Sequence, residues 1–112
     1  AFNPYKPIDF ETRRLQEKIA AGAKFVITQP IVGSDPNVDG LKNLGIPVVI
    51  EAWMSKNVDL LYKSVGKKTD ASADAYDPVK NLNALHDAYP QNCVYLSMLS
   101  FKMYWKRILP KL

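Results

Sequence analysis

The chain has 112 residues, 47% of them apolar and 23% charged, and carries a formal net charge of +4. This is enough for one domain or part of one, and it excludes a disordered chain; no apolar run approaches the roughly 20 residues that cross a bilayer. The single cysteine, Cys93, excludes a disulfide framework or a cysteine-rich zinc site, and the mild charge suits an anionic small molecule better than nucleic acid.

In chain order, Ala1–Pro7 reads as a strand end entering a loop, because Pro4 and Pro7 block regular structure. A helix follows to about Ala21, with Asp9 as its expected N-cap and Leu15 and Ile19 on its buried side. Glu11, Arg14 and Lys18 form a second stripe on that helix, which by itself is expected to be a solvated charged face. After the stop at Ala21-Gly22-Ala23, Lys24–Thr28 is a β-branched and aromatic run. It is expected to be a strand buried on both faces of a parallel sheet, with Gln29 at its carboxyl end. Gly33–Gly40 is turn-rich, so any helix between Asn37 and Leu44 is short, with Gly45 as its expected cap. Ile46–Glu51 is the second strand, ended by Glu51 much as Gln29 ends the first.

Asn57 is the expected cap of a helix carrying Val58, Leu61, Tyr62 and Val65 on one side, with Gly66 as its stop. Lys67–Asp77 reads as an exposed loop. Pro78 then opens a helix behind Asp77, with Leu82, Leu85 and Tyr89 on its buried side. Cys93–Leu99 is a third strand in which Cys93 is expected to be buried. Phe101–Leu109 closes the chain as a helix with an aromatic stripe and with Lys102, Lys106, Arg107 and Lys111 opposite it. Alternating helices and strands predict an α/β fold with a parallel sheet.

Two segments carry a family resemblance: AFNP at Ala1–Pro4 and LQEKIAAGAKFVITQP at Leu15–Pro30. Together they resemble the methylenetetrahydrofolate reductase family, flavin-dependent (β/α)₈ barrels that reduce methylenetetrahydrofolate to methyltetrahydrofolate with NAD(P)H. The resemblance implies that the chain is the C-terminal portion of such a TIM barrel. Ala1–Pro4 would end strand five, and Lys24–Gln29, Ile46–Glu51 and Cys93–Leu99 would be strands six to eight. A full barrel takes about 250 residues, so 1–112 would be a single partial domain. The family's acidic proton donor lies near the first strand, so the chain alone is not expected to catalyse the reaction.

Carried over by position, Gln29 matches a glutamine that contacts the folate pterin. Ala1 and Asn3 match flavin contacts, and Lys18 matches a lysine at the phosphate side of the FAD, with Arg14 and Glu11 beside it. Expected partners are therefore FAD, NAD(P)H, a folate-type small molecule and the rest of the barrel or another subunit, a homo-oligomer included; neither nucleic acid nor membrane is expected. Glu51 stands where relatives carry a Pro-Gly turn. It reads either as a carboxylate at the mouth that binds substrate or as an ion-paired strand end.

Trp53 is expected to pack, and His86, with no second ligand-type residue at metal-site spacing, to be structural. The alternative to the family reading is a stand-alone, non-redox α/β module that binds a ligand or partner and covers its sheet edges by self-association. The single cysteine and an N-terminus unlike a signal peptide predict a cytoplasmic location.

Overall fold

Side-chain caps start three of the helices in the computed structural model, which describes residues 1–67 and 76–97. Asp35 Oδ1 accepts the Asn37 and Val38 amides at 2.8 and 3.3 Å, opening α2 (Pro36–Asp39). Asn57 Oδ1 accepts the Leu60 amide at 3.3 Å for α3 (Val58–Val65). Asp77 Oδ1 accepts those of Val79 and Lys80 at 3.0 and 3.2 Å for α4 (Pro78–Ala88). In α2 and α4 a proline follows the cap, at a position whose N–H would be unpaired in any case.

The first helix, α1 (Ile8–Ala20), lacks such a cap and starts behind Pro7, whose carbonyl accepts the Glu11 amide at 3.1 Å. Asp9 is therefore not the N-cap. It lies in the first turn, where its charge still favours the positive end of the helix dipole. Gly66 ends α3 with φ +80°, a left-handed conformation that β-carbon crowding discourages in other residues. Gly40, rather than Gly45, closes α2.

The strands are β1 (Val26–Ile27), β2 (Val48–Trp53) and β3 (Val94–Ser97), in the spatial order β1-β2-β3 with every pair parallel. Phe2 adds a parallel bridge to Thr28 on the outer side of β1, so the sheet follows chain order across four positions. The second strand begins two residues later than the apolar run suggests, because Pro47 has no amide to donate and enters the ladder only as an acceptor, from Val26 N–H at 2.9 Å. Pro30 acts likewise: Ile31 takes over the donor role and bonds the Glu51 carbonyl at 3.3 Å.

Side chains alternate along a strand, and one face of this sheet carries the main core. Phe2, Val26, Val48, Ile50 and Ala52 pack with Leu15 of α1, Val38 of α2, and Leu82 and Leu85 of α4 in the main core. The opposite face carries Phe25 (56% exposed) and Tyr95 (52% exposed), with half-buried Ile27 and Val49 between them. The first strand is thus buried on one face rather than both, because no described element lies over the second. Cys93, expected to be buried, is exposed on this open side. The third helix instead forms a smaller cluster, in which Val58, Leu61, Tyr62 and Val65 surround Trp53 with Tyr5 and Tyr76 alongside. Trp53 packs there as expected and donates Nε1–H to the Asn57 carbonyl at 3.1 Å.

Buried polar side chains anchor the loops to α4. Asn81 accepts the Gly33 amide at 2.7 Å and donates to the Ile31 carbonyl at 3.1 Å and to the Tyr76 hydroxyl at 3.2 Å. The Tyr89 hydroxyl accepts the Asp35 amide at 3.0 Å and donates to Asp39 Oδ1 at 2.8 Å. The Tyr76 hydroxyl donates to the Trp53 carbonyl, and burial raises its pKa to about 12. The expected closing helix with its four basic residues, together with Met98 and Leu99, lies outside the described residues, as does most of the loop after Lys67.

Asn81→Ala leaves the Gly33 N–H and the Ile31 C=O without their partner in a buried setting. The expected loss is on the order of 2–3 kcal/mol of unfolding free energy, measured by urea titration.

Candidate ligand site at the strand ends

The register aligns polar residues of neighbouring segments; Glu51, expected to end the second strand, lies inside it, since β2 runs on to Trp53 in its pairing with β3. Glu51 pairs with Tyr95, and Ile27 with Val49. Two residues further along β1 and β2, the same register sets Gln29 level with Glu51, and the Phe2–Thr28 bridge sets Asn3 level with Gln29. The four residues Asn3, Gln29, Glu51 and Tyr95 therefore form a row across the sheet on the face away from the main core, past the end of β1 but within β2 and β3. Neighbouring positions in such a row lie about 4.8 Å apart.

Each member is differently committed. The Gln29 amide N–H donates to the Phe2 carbonyl at 2.7 Å, while its half-buried side chain makes no hydrogen bond to the described residues. Glu51 is half-buried, and burial raises its carboxyl pKa above the ordinary 4.5; a hydrogen bond from the Ser97 hydroxyl opposes part of that rise. Asn3 is already engaged, its Oδ1 accepting the Tyr5 amide at 2.9 Å and its own amide donating to Glu11 Oε2 at 3.2 Å.

The charged stripe of α1 runs alongside the Phe2 segment. Glu11 is buried against Asn3, and Lys18 Nζ donates to the Ala1 carbonyl at 3.1 Å. The expected solvated face therefore holds only for Arg14, which is exposed with its guanidinium 5.7 Å from the Phe10 ring centre. Arg14 and Lys18 lie one turn apart and can present positive charge to an anionic group. Asn3 and the Ala1 carbonyl contribute less to such a site, since each is already hydrogen-bonded within the chain.

The structure thus brings Asn3, Gln29 and Glu51 into one row and sets Lys18 and Arg14 to the side of it. Sequence reasoning missed Tyr95 and Ser97. Both stand two residues apart on a strand whose alternation was readable, but their position beside Glu51 depends on register. Exposed His86 stands apart from the row, and among the described residues no group of three or more metal-type ligands occurs and no helix is long and apolar enough to cross a membrane.

Comparison of the chain with protein-family models, curated proteins and solved structures gives no match.

Because folding raises the Glu51 pKa, the folded state holds its proton more tightly than the unfolded chain. The stability linked to that proton is full below the ordinary carboxyl value and is lost as pH rises through the folded value. Glu51→Gln is expected to match the parent protein at pH 4 and to exceed it in stability at pH 7, in urea melts at both pH values. A difference that does not change with pH would contradict this origin.

Proposed function

We propose that the chain is the C-terminal arc of a (β/α)₈ barrel similar to methylenetetrahydrofolate reductase, a flavin-dependent oxidoreductase acting on a folate-type substrate with NAD(P)H. The observation that carries the reading is the row Asn3, Gln29, Glu51 on one face of strands that follow one another in parallel, in their carboxyl-terminal halves. Strand ends on that side hold the active sites of barrels, and the uncovered apolar face is what a barrel interior becomes when the facing strands are absent. The two sequence segments that resemble the family supply the chemistry, and the fold by itself supplies none.

In this reading Gln29 binds the pterin, with its amide free to donate and accept, and Glu51 faces the same ligand. Lys18 and Arg14 hold the phosphate side of FAD. Bound there, the flavin would carry hydride between the nicotinamide and the substrate. The chain's own groups hold and orient the ligands and keep water from them.

One observation favours the stand-alone binding module instead. The outer edge of the Phe2 segment, where a fourth barrel strand would pair, is occupied by Glu11 and Lys18. The size of the native gene product separates the two. Immunoblotting of cells with an antibody against this chain is expected to give a band near 30 kDa, the size of a whole barrel; a band at 12.6 kDa would select the module.

Gln29→Ala in the complete protein is expected to weaken folate binding by about tenfold, equivalent to about 1.4 kcal/mol, while flavin absorbance stays bound to the protein. Unchanged folate affinity would remove Gln29 from the site.

A further inference from the structure

The four-residue helix α2 closes at Gly40, and turns rather than a longer helix lead from there to Val48. This short crossover does not fill the space over the start of β2. A cavity of about 510 Å³ lies there, between the crossover and the turn that enters β3. Hydrogen bonds fix both of its sides. The Tyr89 hydroxyl donates to Asp39 Oδ1 at 2.8 Å, tying the end of α4 to α2, and Asn92 Nδ2 donates to the Val48 carbonyl at 2.9 Å, tying the turn to β2. The volume falls in the range of small-molecule sites, roughly 300–1,000 Å³, and a site held in shape beforehand costs less to fill. All its lining residues are described and belong to the segments 38–50 and 90–93; none of the row Asn3, Gln29, Glu51 and Tyr95 is among them.

The lining divides by chemistry. Val38, Leu41, Ile46 and Val48 give an apolar wall, while Lys42 and Gln91 are exposed polar members. No aspartate or glutamate lines the cavity. The Lys42 ammonium has no hydrogen-bond or ion-pair partner among the described residues, and the acid closest to it in sequence, Asp39, has Oδ1 taken by Tyr89. An apolar wall beside one unpaired cation complements a ligand with an apolar body and one negative charge. A carboxylate fits better than a phosphate ester, which carries about two charges at pH 7 and is held by several donors or a guanidinium fork; one ammonium is a single point charge.

We propose that this cavity binds a medium-chain monocarboxylate, with the hydrocarbon chain along the apolar wall and the carboxylate on Lys42, the Gln91 amide serving as a second donor. The inference goes beyond the flavin and pterin reading. It holds for a complete barrel and for a stand-alone module alike, because Val38, Leu41 and Val48 belong to the main core on the helix side of the sheet, not to the face that a barrel would enclose.

The test is isothermal titration of decanoate into the complete gene product, whichever of the two sizes the immunoblot gives. Decanoate is expected to bind with a dissociation constant on the order of 0.1 mM, within reach of a ligand of about twelve non-hydrogen atoms. Decylamine, with a similar chain and the opposite charge, is expected to bind at least tenfold more weakly, and acetate, which lacks the chain, not measurably. Lys42→Ala is expected to weaken decanoate about tenfold, and Lys42→Glu to reverse the order of decanoate and decylamine. The Lys42 side chain is exposed and unpartnered among the described residues, so both variants are expected to keep the parent's urea midpoint. The proposal is overturned by the absence of saturable decanoate binding, by equal affinities for decanoate and decylamine in the parent, or by an order that Lys42→Glu leaves unchanged. Loss of decanoate binding in Phe25→Glu would also overturn it, by placing the ligand on the opposite face of the sheet. Gln29→Ala is expected to leave decanoate affinity unchanged, so a failure of the folate site and a failure of this one are read separately.

Discussion

The strand Val48–Trp53 carries the sheet, since it is the strand that pairs with both of the others. Its first half meets β1 and its second half meets β3, so the register of every polar residue at the strand ends is referred to it. Shifting it by one residue would turn Val48, Ile50 and Ala52 from the helix-covered face to the open one and bring Glu51 into the core. The burial of Ile50 and Ala52, both wholly enclosed, opposes that slip. The position of the candidate site therefore rests on a hydrophobic constraint on the opposite face of the same strand.

Around that strand, the loops are fixed by polar side chains as well as by packing. Asn81 and Tyr89, on and just beyond α4, hold the segment from Ile31 to Asp39; the Tyr5 hydroxyl donates to the Pro30 carbonyl at 2.6 Å; Asn92 donates to the Val48 carbonyl at 2.9 Å. Lys67 adds its ammonium 4.7 Å from the Tyr62 ring centre and 5.8 Å from that of Tyr5. These contacts span from 25 to 54 residues of sequence among the hydrogen bonds to Pro30, Ile31, Asp35 and Val48. The strand ends thus face a rim whose backbone is held on several sides, a condition that suits side chains positioned for binding.

The charged stripe of α1 illustrates how one pattern serves two readings. Glu11, Arg14 and Lys18 are spaced to share a helix face, and that spacing alone describes a solvated surface. In the folded chain the first and last of them complete the hydrogen bonding of Ala1 and Asn3. An edge strand leaves unpaired peptide groups, and long side chains from the helix that follows are able to satisfy them. Ligand binding by Lys18 would draw on the donors that this contact leaves unused, since an ammonium has three.

Much of the fold was legible in the residues. The caps Asn57 and Asp77, the stop at Gly66, the brevity of α2 and the order of helices and strands follow from local chemistry: a short polar side chain before an apolar repeat, a glycine after it, a proline where an amide is dispensable. Gln29 does follow the first strand, whereas Glu51 lies inside the second, which pairing with β3 carries on to Trp53. Strand limits were displaced where Pro30 and Pro47 altered which groups enter the ladder, and the cap at Asp9 was displaced by Pro7. Only the tertiary structure decided which face of the sheet is covered, that Glu11 is buried, that Cys93 is exposed, and that Tyr95 and Ser97 stand beside Glu51. Periodicity states which residues share a face, but it does not state what lies against that face. Burial, register and the pairing of an edge are relations between segments far apart in the chain.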